Sequence, residues 1–493
     1  MCENCSKGID RRQFVVSSTA ALGAASLAAT AASAADEKSP IPPREKKPAV
    51  VKVVFLYPRF EDCDAGTAEV SPVWQKQHWH PYPGRQFKHD EQRAKFAEKI
   101  GQMAKRIGIQ ADFHPGHLNT SAKAREFAAK TKAQAPDAIL VVCLSDACDK
   151  WSYEIIKTAG VPGIMYLPTG ASHQLPADYL RNTPGLHFIN AIENWDEIDR
   201  SLRAVHAKKM LAQSRLLRVA GQKQGQATDD LLGFETAYVP AEEYNSLFDS
   251  IKPDEAMRRE AMAYKKTATR IMDVTDHYIT DGFRAHLAVQ TLLKRYGGDA
   301  ITINCLFLQH RKPCISFSLH NGNLTPCGCE NDLNATLTMM LGTHLFGRGG
   351  FQHNPGYDLT RNQYFGTHCT CATRLQGPQG PAQDYLLRPF FHHLPETAAL
   401  DVQWTPASPL LLAKYTHGKE PTIHAWTGKV VESPKSPPTG GCATRVLAEF
   451  DKVDDVADTY PGSHPILYSI DPGEARCLKI FAKLYQAKLF GNV

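Results

Sequence analysis

Short apolar runs rich in Val, Ile and Leu recur along the first two-thirds of this chain, with helix-length intervals between them. Ala49–Leu56, Ala138–Cys143 and Pro162–Leu167 come first, and Arg215–Gly221 and Ile301–Leu306 follow. Runs this apolar suit strands buried on both faces, the condition of a parallel sheet covered by helices. Between the first two, Asp90–Ile107 sets Phe96, Ile100, Met103 and Ile107 at helical spacing. Strands alternating with helices predict a doubly wound α/β architecture.

The chain has 493 residues, enough for two or three domains. A first α/β domain is expected over 50–210, closing with an amphipathic helix around Ile198–Gln213. A second is expected over 211–350, helix-rich as far as Tyr296. Beyond Gly350 prolines and glycines become frequent, and short β-type runs (Leu410–Tyr415, Thr422–Trp426, Arg445–Phe450) predict a β-barrel or sandwich over 351–493. A final helix is expected from Pro472 to Lys488. The Gly233 region has no phosphate-cradling glycine pattern, so no nucleotide is inferred.

The N-terminus reads as a targeting segment. Paired Arg11 and Arg12, then Phe14 and a mildly apolar Ala-rich run ending in Ala32-Ser33-Ala34-Ala35, look like a twin-arginine signal over 1–35. A membrane anchor is the alternative; the run's shortness and alanine content speak against it. The mature chain is therefore expected to be periplasmic or released, with no membrane span. Residues 36–49, charged and Pro-rich, read as a disordered tether. The net charge of +5, from 56 basic and 51 acidic residues, gives no argument for nucleic acid. Of 13 cysteines, Cys2 and Cys5 would leave with the signal, and the odd remainder argues against a complete disulfide frame. Cys143/Cys148, Cys327/Cys329 and Cys369/Cys371 are expected as small buried thiols.

Chemistry concentrates in residues 299–371, where a strand, a polar loop, a helix and a Gly/Pro loop follow one another. Such an order assembles sites at the edge of α/β sheets. Glu330 stands in the loop before the helix starting at Leu333. Its plain alternative is a helix-dipole acid, a role open to Glu330 or Asp332 alike. His353, His368, His424 and His464 are spread over the later half. His368 ends a β-type run and His464 follows Pro461-Gly462-Ser463, both positions where loops carry function. No HExxH signature and no GxSxG elbow occur. Cys369 beside His368 would point to the opposite strand face, against a thiol–imidazole pair.

Cys329-Glu330-Asn331-Asp332-Leu333-Asn334-Ala335, Gly347-Arg348-Gly349-Gly350-Phe351, the order Asp358…Asn362…His368, and Gly462-Ser463-His464-Pro465 together resemble the L-fucose isomerase family and its L-arabinose isomerase-like relatives. The resemblance spans about 215–371, is looser over 400–493 and only architectural over 50–210. It implies two Rossmann-like α/β domains and a C-terminal β-barrel, in a homo-oligomer with active sites shared between subunits. It implies a divalent metal, Mn2+ in most members; imidazole ligation at His353 would suit Zn2+, Fe2+ or Ni2+ instead. By the same resemblance Glu330 is ligand and proton carrier, and His464 and His368 are ligands. Asn331 and Arg348 are contacts to a sugar substrate. The family places a second carboxylate just after the Phe351 position. Here Gln352-His353-Asn354-Pro355 stands there, leaving His353 as a metal ligand or Asp358 as the catalytic carboxylate to fill the place. The function implied is an exported metal-dependent aldose–ketose isomerase acting by enediolate proton transfer. The rival is a non-catalytic carbohydrate-binding or scaffold protein on the same fold.

Overall fold

The computed structural model describes residues 40–76, 79–168, 182–390 and 397–493. The signal segment over 1–35 and the first tether residues lie outside these. Five strands, β1 (Ala49–Leu56), β2 (Ile109–Leu118), β3 (Ala138–Cys143), β4 (Gly163–Leu167) and β5 (Leu186–Asn190), form one sheet in the order β2-β1-β3-β4-β5. Every pairing in it is parallel. Helices His89–Ile107, Ser121–Gln134, Asp149–Ala159 and Trp195–Ala212 connect and cover it. β3 is buried at all six positions, as its unbroken apolar run requires. β2 was not expected from the sequence, because it is the sheet's edge. Its residues Gln110, His117 and Gly116 share half-solvated positions, so no apolar run marks it.

The second unit contributes β6 (Arg215–Val219), β7 (Gly225–Thr228), β8 (Glu235–Val239), β9 (Arg270–Ile271), β10 (Ala300–Ile303) and β11 (Cys327–Cys329). All but β9 form a sheet in the order β11-β10-β6-β8-β7, parallel except for the β7–β8 edge. The expected strand to Leu306 stops at Ile303. A 3-10 turn over Cys305–Phe307 follows and turns Leu306 and Phe307 outward, 47% and 79% exposed. His320–Asn321, within the polar loop expected after the Ile301 strand, belong to a helix, Cys314–Gly322, which the sequence did not announce.

Residues 40–48 are not a free tether. Arg44 Nη1 donates to the carbonyls of Ala212, Ser214 and Gly233, the Ile41 N–H to Arg295, and Lys46 pairs with Asp299 at 2.7 Å. Their charges mark fixed contacts to the second unit rather than solvation.

The last part of the chain supplies β12 (Phe351–Gln352), β13 (Asn354–Asp358), β14 (Gln363–His368), β15 (Tyr385–Pro389), β16 (Ala398–Val402), β17 (Pro409–Thr416), β18 (Thr422–Glu432), β19 (Thr444–Phe450), β20 (Ile466–Ser469) and β21 (Lys488–Gly491). An eight-stranded sheet runs β12-β20-β17-β18-β19-β14-β13, with β21 added beside β18. Its pairings are antiparallel except β18–β21. The two ends of this path, β12 and β13, are separated in sequence by His353 alone, so both edges of the sheet meet on one bent stretch of chain. β16, β15 and β9 form a small separate sheet. The chain is thus a mixed α/β fold with parallel and antiparallel sheets.

Helix Leu333–Phe346 joins the parts. It is buried nearly all round, lying against the Trp195–Ala212 helix on one side and β17 on the other. A helix without a polar face belongs inside a protein. Its first turn follows β11 so closely that a Cβ on Gly328 would meet Thr336 Oγ1 at 2.0 Å.

Candidate metal centre

The turn between β11 and this helix is built from two left-handed residues, Glu330 (φ 60°) and Asn331 (φ 56°). Side chains other than glycine pay for that conformation, and such outliers gather at functional sites. The turn is held open by specific bonds. The Asn331 N–H donates to Ile303 at the end of β10, and Arg218 Nε donates to Asn331 Oδ1 at 3.0 Å. Asp332 caps the helix, its Oδ1 accepting from the Ala335 N–H at 2.8 Å. The two sequence readings of this acidic pair therefore divide. Asp332 takes the capping role, and Glu330 is left projecting at the carboxyl edge of the sheet.

Two histidines meet it there. His368 ends β14 with its Nε2 3.5 Å from Glu330 Oε1; His464 precedes β20 with its Nε2 3.4 Å from Glu330 Oε2. Their rings stand almost perpendicular, with centroids 5.4 Å apart. One donor atom from each of Glu330, His368 and His464 lies within 4.8 Å of the others. Both ring nitrogens of buried His368 lack a hydrogen-bond partner. Leaving them so costs free energy that a bound cation would recover. The donor set, two imidazoles and a carboxylate, fits a divalent metal with positions left open on one side.

A second layer orients these ligands. His464 Nδ1 lies 3.0 Å from Asp332 Oδ2, an arrangement in which Nδ1–H donates and Nε2 faces Glu330. His464 itself is left-handed (φ 54°). Lys414, buried on β17, donates to the carbonyls of Ser463 at 2.8 Å and His464 at 2.9 Å and stands 3.4 Å from Asp332. The contact with His368 and the nearness of His464 hold the Glu330 carboxyl below its usual range, against the opposing effect of its partial burial. Burial opposes ionisation of Asp332, but the His464 bond and the Lys414 charge outweigh it and leave its pKa lowered. Burial lowers the pKa of His368 against the opposing contact with Glu330, the direction that favours a metal-binding imidazole.

The other sequence candidates lie elsewhere. His353 does not reach the centre: its Nδ1 faces the Phe351 carbonyl at 3.1 Å, and its Nε2 is taken by the Tyr364 hydroxyl. It is fully buried inside the β-sheet unit, over Gly366, where an added Cβ would meet the ring at 2.6 Å. Burial pushes its pKa down to about 3. Asp358 sits at the β13–β14 hairpin, bound by Thr360 and the Arg361 N–H, and forms no part of the cluster. Asn331 serves the turn through Arg218. Arg348 lies near Gly377 with its Nε unpartnered, and no contact joins it to the three ligands. His424 is packed on Phe490. Gln352, just after Phe351, spends its amide on Cys329, accepting from its N–H at 2.8 Å and donating to its carbonyl at 3.3 Å.

Sequence reasoning missed the orienting role of Asp332 and missed Lys414 altogether. A lysine inside the apolar run Leu410–Tyr415 was the available signal. Beside the ligands a cavity of about 230 Å³ opens, walled by Glu330, His368, Lys312, Asn354 and Phe390 together with cysteines.

No protein-family model and no curated protein matches the sequence. A solved structure described as "XylFII molecule" matches 52% of this chain and 80% of its own length, at 10% identity and a TM-score of 0.16. Similarity that low carries no argument about fold or function.

Proposed function

We propose that the chain is a metal-dependent sugar isomerase of the L-fucose/L-arabinose isomerase-like kind. One observation carries this reading: a half-buried carboxylate and two buried imidazoles from three separate segments converge on one point, with neither His368 ring nitrogen hydrogen-bonded. In this reading the two parallel-sheet units are Rossmann-like domains, and the bent sheet of β12–β14 and β17–β21 is the family's β-barrel. The chain is exported by the twin-arginine pathway and acts as a homo-oligomer on a monosaccharide.

Glu330, His368 and His464 would hold the cation, Mn2+ by family precedent. A divalent ion there supplies Lewis acidity to the adjacent oxygens of an aldose, making the C–H between them easier to deprotonate. Glu330, open to the cavity and fixed at a strained turn, is the residue placed to carry a proton between neighbouring carbons. Asp332 holds the His464 tautomer, and Lys414 holds the loop that presents it.

A second reading, a carbohydrate-binding protein without turnover, is favoured by Gln352. Its amide is committed to the Cys329 backbone and Asp358 lies outside the cluster, so neither position gives Glu330 a second carboxylate in the ligand group. The test is a panel of aldopentoses and aldohexoses incubated with Mn2+-loaded protein, ketose being measured directly. Ketose formation that disappears in Glu330→Gln supports the isomerase. Sugar binding without any ketose establishes the rival.

A further inference from the structure

Five cysteines from five separate segments line the cavity beside Glu330: Cys305 after β10, Cys314 in the first turn of its helix, Cys329 on β11, Cys369 after β14 and Cys442 before β19. All are free thiols. They form two packed groups. Cys305 lies against Cys329, while Cys314, Cys369 and Cys442 share one cluster with Phe390, Cys369 being in reach of both others. A buried thiol commonly serves as a small hydrophobe. These differ because they face an open space of about 230 Å³ instead of filling it. Cys305 is half-buried and its neighbour Leu306 is exposed, so that space has a mouth.

The wall carries charged groups of both signs, Glu330 and Lys312. Lys312 is buried, donates to the carbonyls of Cys305 at 2.8 Å and Leu306 at 3.2 Å, and rests 4.7 Å from the Phe390 ring centre. It has no carboxylate partner among the ion pairs of the described residues.

We propose that this thiol-lined cavity is a binding site for a soft monovalent cation, Cu(I). Thiolates select soft ions. Zinc and iron–sulfur sites need sulfurs gathered around a centre, whereas no three of these thiols join in a group within 4.8 Å among the described residues. Thiols close to one another in pairs suit the two-coordinate geometry of Cu(I). The proposal does not rest on the sugar reading, since oxygen and imidazole ligands are not used.

The test titrates Cu(I) into the full chain, reduced and anaerobic, against the chelator bicinchoninate, with X-ray absorption to identify the donors. The wild type is expected to withdraw about one Cu(I) per chain into an all-sulfur environment. Cys369→Ser and Cys442→Ser should each weaken binding by about tenfold or more, while Cys477→Ser, in the Pro472–Leu484 helix away from the cavity, should leave it unchanged. Glu330→Gln should retain Cu(I) while losing the divalent ion, which separates this site from the metal centre. Should Cys369→Ser fail to fold, Cys314→Ser, in the same group, replaces it. Wild type unable to compete with the chelator, or cavity variants binding as tightly as Cys477→Ser, overturns the proposal.

Discussion

Two carboxylates stand beyond strands of the parallel sheets, Asp62 near the end of β1 and Glu330 directly after β11, and each has histidine beside it. Asp62 is saturated. It accepts from the Arg59 N–H at 3.1 Å, from Asn119 Nδ2 at 2.9 Å, and pairs with His117 Nε2 at 2.9 Å. His117 is in turn stacked on Tyr57 at 4.5 Å. Glu330 has only the two longer contacts, 3.4 and 3.5 Å, to imidazoles from different strands, on a left-handed backbone. A carboxylate beside a histidine is therefore not a site in itself. The Asp62 cluster spends its polar capacity on holding a loop, whereas the Glu330 cluster keeps donors in reserve and accepts strain to do so.

The sharpest way to break this contrast is Glu330→Gln. It should abolish divalent-metal binding, with a loss of about a hundredfold or more in affinity, because one of three ligands goes. Asp62→Asn should leave metal content at the wild-type level, as measured by elemental analysis. Next comes Asp332→Asn, which keeps a cap but no longer accepts a strong bond from His464. Metal affinity should fall by about ten- to a hundredfold by calorimetric titration, with the helix retained.

Acidification separates the regions differently, because both contain buried histidines. Burial holds His89 near the Asp62 cluster and His286 at pKa values of about 4, and His353 at about 3. The unfolded chain takes up these protons from about pH 6.5 downward, and the folded chain does not. Stability should then be full above that value and fall progressively between about pH 6.5 and 4, read from denaturation midpoints. His89→Gln should flatten part of that slope without touching metal binding. The smallest effect belongs to Asp62→Ala, a stability loss of about 1–3 kcal/mol in urea unfolding with the metal site intact.

The sequence made the central strands of each sheet legible because strands buried on both faces must be apolar throughout. Edge strands such as β2 and β7 were not, since half-solvated residues carry no such pattern. Glu330, His368 and His464 were legible as candidates from their loop and strand-end positions. Their convergence was not, because it depends on β11, β14 and the turn before β20 meeting in space across more than a hundred residues. His353 misled for a related reason: its neighbours fit a ligand loop, but the chain bends there to start a new strand, and the ring turns into the sheet interior toward Tyr364. The thiol wall was invisible for the same cause, its five members being separated in sequence and adjacent only in the fold.

The most direct measurement is the divalent-metal content of the purified protein by elemental analysis, with Glu330→Gln, His368→Gln and Asp62→Asn alongside. About one ion per chain in the wild type and in Asp62→Asn, and a marked loss in the other two, is the result this account predicts. A metal-free wild type that takes up none on dialysis against Mn2+ or Zn2+, or equal content in all four proteins, would contradict it.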